Sequence, residues 1–284
     1  MDKVIFGDNQ FFGVNHLSEE KARAQALKFK DNASIIKVLD YVYDIGVRTF
    51  MCTTHDRIEG ICEHIIANES RYQGFKIYPC MPYAHKYNNA VTELGPLGAM
   101  KRFMPGNVIG TMAKGGMALA RKDYISMMKL LIDFEMRMFE GINTPVVFLQ
   151  NVVTDLILGL GMNDFLGAFY EYIQSRYNAE AGFITMNMPK LLGVLEGLGI
   201  KDPIICSSIN KIGFRMSGGK DGYEKVLKEK RCRAMAMQVL AAGALLPKEA
   251  IQYVSELEGV DSILFGASTS AHIKQTKDLI DQLL

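Results

Sequence analysis

The sequence predicts an α/β fold, a (β/α)8 or TIM barrel, on three observations. Eight short apolar runs of five to eight residues recur along the whole chain. Between them lie segments whose apolar residues fall three and four apart, the helical period. Gly46, Gly141, Gly199 and Gly259 stand at the ends of such segments, where a residue in the left-handed conformation closes a helix. Eight strand–helix pairs in 284 residues is the pattern of the closed barrel. A doubly wound open sheet needs fewer strands, and no G-x-G-x-x-G follows the first run.

In order, the predicted strands are KVIFG (3–7), VRTFMC (47–52), FKIYPCM (75–81), PVVFLQ (145–150), AGFITMN (181–187), PIICSSI (203–209), RAMAMQVL (233–240) and SILFGAS (262–268). SIIKVLDYVYDIG and PKEAIQYVSELEG are representative helices. Linkers rich in Pro, Gly or Ser, low-complexity tracts and short repeats are lacking, so residues 1–284 read as one barrel domain. The interval 84–144 is too long for one helix and predicts an elaborated loop and helical segment over one mouth. Within it, the helical spacing of YISMMKLLIDFEMRMF predicts core.

Composition narrows the function. A formal net charge of +1, with no concentrated basic face, argues against nucleic acid or an anionic membrane as the partner. The amino terminus lacks the apolar core of a signal peptide, and no stretch reaches the ~20 apolar residues that span a bilayer. A soluble, cytoplasmic protein with a small-molecule ligand is expected. Cys52, Cys62, Cys80, Cys206 and Cys232 show no C-x-x-C spacing and read as reduced core thiols. His16, His55 and His85 follow different strands and have no paired ligand spacing, so no metal is expected.

In such a barrel the chemistry sits at the carboxyl ends of the strands. That rim collects Asp8, Asn9, Gln10, Thr53 to Asp56, Tyr83, His85, Gln150, Asn151, Asn187, Asn210, Lys211, Gln238 and Ser268. The set is rich in amides and poor in groups that titrate near neutrality. His55 and Asp56 are its candidate catalytic pair, since an imidazole exchanges its proton near pH 6.5 without a tuning cation. Asp56 also fits a helix N-cap, with Glu59 completing a capping-box pattern. Asn9, His16, Tyr83, Gln150 and Asn151 are the candidate substrate contacts.

Several stretches carry a family resemblance. PKLLGVLEGLGIKDPIICSSINKIGFRM, CRAMAMQVLAAGALLPKEAIQYV and GVDSILFGASTSAHIKQTKDLI, in that order, resemble the second half of the aldo-keto reductase superfamily, and GVRTFMCTTHDRIEGICEHI is similar to the strand and loop that carry its catalytic Asp and Tyr. The resemblance implies a nicotinamide nucleotide, NAD(P), with Asn210, Lys211 and Gln238 beside the nicotinamide. Gly266, Ala267, Ser268 and Thr269 would then lie at the phosphate, where a helix start also favours an anion. Asn210 and Lys211 equally suit an ordinary loop, and Ser268 or Thr269 a plain N-cap.

The chain departs from that family at its acid–base tetrad. Matched by position, the Asp falls on Met51, the Tyr on His55 or Asp56, the Lys near Cys80 or Met81, and the His on Gln150. The expected function is therefore a divergent aldo-keto reductase-like barrel that binds a small molecule at its carboxyl rim, an oxidoreductase with non-standard acid and base groups. The alternative is a non-catalytic ligand-binding or regulatory protein on the same barrel.

Overall fold

The computed structural model describes residues 1–13, 19–83 and 124–284. Its eight strands are β1 (Val4–Gly7), β2 (Thr49–Thr53), β3 (Lys76–Met81), β4 (Val146–Leu149), β5 (Glu180–Thr185), β6 (Ile204–Ser208), β7 (Arg233–Met237) and β8 (Val260–Phe265). All are parallel and close in sequence order, with β1 pairing to β2 at Phe6↔Phe50 and to β8 at Val4↔Ile263. The predicted barrel is the observed one, each strand within a few residues of its apolar run.

Strand residues alternate between two cores, which is why the runs are apolar almost throughout. Ile5, Met51, Tyr78, Cys80, Val146, Phe148, Ile184, Ile204, Cys206 and Met235 fill the barrel. Their neighbours Phe6, Phe50, Cys52, Ile77, Val147, Phe183, Ile205, Ala234 and Ile263 face the helices. Gly182 has no side chain because the Phe148 ring takes its place: a Cβ there would overlap the ring, 2.6 Å from Cδ1 and 2.8 Å from Cζ. A register shift between Ala234 and Met235 interrupts the β7–β8 ladder. The Asp261 carboxylate accepts the Ala234 N–H there at 2.8 Å.

The helices among the described residues are α1 (Glu19–Lys28), α2 (Asn32–Asp44), α3 (Arg57–Ala67), α4 (Tyr124–Met136), α5 (Asn151–Leu160), α6 (Asp164–Tyr177), α7 (Met188–Gly197), α8 (Lys220–Glu229), α9 (Pro247–Ser255) and α10 (Ser270–Leu283). Each lays an apolar stripe on the strands. In α2, Ile35, Leu39 and Val42 are buried, worth about 1.5–3 kcal/mol apiece, and the Asp31 carboxylate caps the helix by accepting Ser34 N–H at 2.9 Å. The four glycines predicted to end helices all have positive φ, from 78° to 94°, but Gly259 lies past the end of α9, whose C-cap is Glu256, in the turn before β8. Between β3 and β4, α4 packs on β3 and α6, while 84–123 lies outside the described residues. No helix among the described residues is long and apolar enough to cross a membrane. All five cysteines are buried free thiols, and burial pushes their ionisation up, to about 12 for Cys62 and Cys232.

Candidate functional site

Three strand ends meet on one side of the carboxyl mouth. After β1 the chain turns through one short 3-10 segment, Asn9–Phe11, which leaves Asp8 only 6% exposed. Its Oδ2 accepts both the N–H and the Oγ–H of Thr53, each at 2.7 Å, so a carboxylate on β1 is tied to the end of β2. Burial pushes the Asp8 carboxyl above its usual range, against the opposing effect of the Thr53 donors.

Thr54 points the other way. Its hydroxyl donates to Glu135 Oε2 on α4 at 2.7 Å, with both residues fully buried. His55 follows, lying flat on Phe12 with ring centroids 4.1 Å apart and planes inclined by 7°. Its Nδ1 accepts the Arg57 N–H at 3.1 Å, which puts the ring proton on Nε2. Beyond β3, the Tyr83 ring stands 5.6 Å from that of His55. Burial raises the Tyr83 phenol, and the Asp8 and Asp56 carboxylates add to the effect, so Tyr83 keeps its proton at neutral pH. The result is an aromatic cluster of Phe12, His55 and Tyr83 beside the buried Asp8 carboxyl.

Asp56 departs from the capping expectation. It occupies the N-cap position of α3 in helical conformation, φ −53° and ψ −31°, and its side chain makes no capping bond. An N-cap needs an extended backbone to swing its oxygen back over the first turn. The His55 ring takes that place by accepting the Arg57 N–H, and its carbonyl accepts Ile58 N–H at 2.8 Å.

Asn9 is exposed in the 3-10 turn, and His16 and His85 lie outside the described residues. Gln150 precedes α5 and its N–H donates to Met81 O at 2.8 Å, joining the ends of β3 and β4; Asn151 opens α5. Asn210 is fully buried and pins its own loop, donating from Nδ2 to Phe214 O at 2.9 Å and accepting Phe214 N–H at 2.8 Å. Lys211 is exposed and paired with Glu249 at 2.7 Å, a surface contact of small energetic weight. Gln238, at φ +54°, accepts the Ser208 hydroxyl at 2.8 Å. Thr269 caps α10 through His272 N–H at 3.3 Å, and the Ser268 carbonyl accepts from Lys28 Nζ. Ala267 is half-buried, and a Cβ on Gly266 would overlap the Gln10 Oε1 atom.

Glu135 is the site-forming residue that sequence reasoning missed. Its signal was available: it lies on the buried stripe Ile132, Met136 and Phe139, where an acid needs a partner. A cavity of about 410 Å³ lies at the opposite end of the barrel, lined by Asp2, Lys3, Arg48, Lys76 and Lys277 among others. Those cations are already engaged, Lys76 with Asp2 at 2.8 Å, Lys277 with Asp281, Lys3 with Leu284 O at 2.9 Å and Arg48 with Tyr43 O at 2.6 Å. The amino end of such barrels serves stability, and the aromatic cluster at the carboxyl end is the better candidate.

No protein-family model matches the chain, and no curated protein does. Solved structures do. A Pseudomonas aeruginosa protein assigned as an aldo-keto reductase superimposes with a TM-score of 0.58 at 11% identity, over 99% of this chain and 90% of that one. An aldo/keto reductase from Brucella melitensis gives 0.56 at 11% identity, over 100% and 91%. The holo form of an aldo-keto reductase from Bacillus halodurans gives 0.55 at 13% identity, over 98% and 86%. Over nearly its whole length, the chain has the fold of the aldo-keto reductases.

Proposed function

We propose that the protein is an enzyme that moves protons on a small carbonyl- or hydroxyl-bearing molecule held at the aromatic cluster. One observation carries the reading: the His55 ring meets both Phe12 and Tyr83, and the Asp8 carboxyl bears on Tyr83, so groups from three strand ends come together. In this reading the ligand's oxygen, on which charge develops, takes hydrogen bonds from His55 Nε2–H and the Tyr83 hydroxyl, and His55 gives up its Nε2 proton from the doubly protonated ring, with Nδ1 protonated in place of accepting the Arg57 N–H. Burial keeps the Tyr83 phenol protonated, and the Asp8 carboxyl adds to the effect. Asp56 lies at the edge of the cluster and supplies charge rather than a helix cap. Asn9, Gln150 and Asn151 remain candidate substrate contacts in the same reading, as does His16 by its place in the sequence.

NAD(P)-dependent oxidoreduction is the second reading, and the likeness of fold to aldo-keto reductases favours it. The side chains that would hold the nucleotide do not fit it as they stand. At the nicotinamide end, Asn210 is spent on Phe214 and Gln238 on Ser208. At the phosphate end, Thr269 is spent on His272, and Gln10 fills the space over Gly266. A dinucleotide would have to displace bonds at both ends, so no step is assigned to it.

One experiment tests both readings. Small aldehydes, ketones and hydroxy compounds are offered with and without NADH or NADPH, and turnover is compared between the parent, His55→Ala and Tyr83→Phe. Loss of ~10²-fold or more in His55→Ala is expected. An unchanged rate in both variants overturns the assignment of these groups. Turnover strictly dependent on a nucleotide selects the second reading, and ligand binding without turnover selects a non-catalytic protein.

A further inference from the structure

A fully buried carboxylate costs several kcal/mol unless donors meet it, so its partners show what it is for. Glu135 divides its two oxygens between two loops. Oε2 accepts the Thr54 hydroxyl at 2.7 Å, and Oε1 accepts the Tyr83 backbone N–H at 3.3 Å. Thr54 is fully buried and directly precedes His55, whose ring meets that of Tyr83. One side chain on α4 therefore spans from the loop after β2 to the loop after β3, at the two places where the cluster is built. The rest of its stripe, Ile132, Met136 and Phe139, is buried, which holds the carboxylate against rotation of the helix.

We propose that Glu135 is a positioning residue: it fixes the separation and orientation of His55 and Tyr83, and so rests on the reading that these two groups face the reacting atoms. Its pairing with Thr54 complements that of Asp8 with Thr53. Consecutive threonines at the end of β2 are thus held from opposite sides, one by β1 and one by α4, and His55 leaves a strand end that is fixed on both.

The test is nitrogen-edited NMR of the histidine rings in the full chain without substrate, in which only five histidines contribute. In the parent, His55 is expected to show one tautomer, protonated at Nε2, with close contacts to the Tyr83 ring. In Glu135→Leu the His55 nitrogens are expected to move toward the average of the two tautomers and the His55–Tyr83 cross-peaks to weaken several-fold. Glu135→Gln is expected to stay near the parent, because its amide oxygen can still accept Tyr83 N–H while its NH₂ donates to Thr54 Oγ1. A folded Glu135→Leu protein with unchanged His55 and Tyr83 signals overturns the proposal. If that variant does not fold, Thr54→Val removes one end of the tie while keeping the shape, and unchanged His55 signals there overturn it equally. These signals do not depend on turnover, so a failure of the catalytic reading, seen as an unaffected rate in His55→Ala, is distinct from a failure of this one. Where turnover is found, Glu135→Leu is expected to lower kcat by ~10²-fold, the cost of misplacing a catalytic group by about 1 Å.

Discussion

Replacing Asp8 by Asn separates its charge from its hydrogen bonds. Both Thr53 donors bind one oxygen, Oδ2, so an amide oxygen can keep both while the amide nitrogen takes the place of Oδ1. What the substitution removes is the buried charge. In the unfolded chain the carboxyl titrates near 3.8, and in the folded chain burial sets it higher. Below 3.8 both states hold the proton and burial is not penalised. As the pH rises the unfolded chain ionises first, so stability is lost until the pH passes the folded value, by about 1.4 kcal/mol for each unit separating the two. Asp8→Asn is therefore expected to be at least as stable as the parent at pH 7, and the difference between them is expected to shrink toward pH 4. Asp8→Ala, in contrast, leaves the Thr53 N–H and hydroxyl without their acceptor, on the order of 1–3 kcal/mol for each at every pH. Urea unfolding of the three proteins at intervals from about pH 3.5 to pH 8 reads these differences, since all other titrating groups are common to them. If Asp8→Asn is the less stable protein and its deficit grows as the pH rises, the fold favours the ionised carboxylate and the account of this site is wrong.

Asp2 is expected to show the opposite sign. Burial pushes its carboxyl up, but the Lys76 and Thr49 hydrogen bonds outweigh this and hold it below 3.8. Asp2→Asn is then less stable than the parent above about pH 4, and the two converge in acid as the parent loses the contribution, read in the same urea series. Gly182→Ala puts a methyl group into the Phe148 ring and is expected to cost about 1–3 kcal/mol of unfolding free energy, part of it recovered when Phe148→Leu is added. Gly266→Ala meets only the end of the Gln10 side chain, so the double variant with Gln10→Ala is expected to regain the parent's thermal midpoint. A Gly266→Ala protein whose midpoint stays depressed in the double variant places the cost in the backbone instead.

The barrel was legible because each of its strands is buried on both faces. The resulting apolar runs, from Val4 to Phe265, stand out against helices whose apolar residues recur every three to four positions, and Gly46 and Gly199 close two of those helices in the left-handed conformation. The site was legible only in part. His55 and Tyr83 follow strand ends, a position the fold makes conspicuous, and the structure brings them together. Asn210 stands at an equally conspicuous strand end, yet its amide closes its own loop, and nothing in INKIGFRM separates the two uses of an amide. The capping reading of Asp56 failed for a local reason, since residue type proposes a cap but backbone conformation decides it. Glu135 was hidden by distance: its partners Thr54 and Tyr83 lie 81 and 52 positions away, and a pairing between helix and loop leaves no period in the sequence.

The position of the carboxylate explains how the site can differ from the family pattern without losing the fold. The position on β2 that the resemblance gives to an Asp holds Met51, 3% exposed and packed in the barrel with Tyr78, Cys80 and Cys206. A charge among those side chains would meet thiols and rings in place of strong donors, at a cost of several kcal/mol. One strand over, Asp8 occupies a place of similar burial, but there the end of β2 offers a backbone N–H and a hydroxyl from a single residue. The buried carboxyl is therefore held at the rim from β1, where it bears on Tyr83 at the end of β3. In the proposed reading this also explains a role for His55: Cys80 and Met81 stand where the resemblance gives a lysine, burial holds the proton on Tyr83, and an imidazole is the side-chain type suited to exchanging a proton near neutral pH.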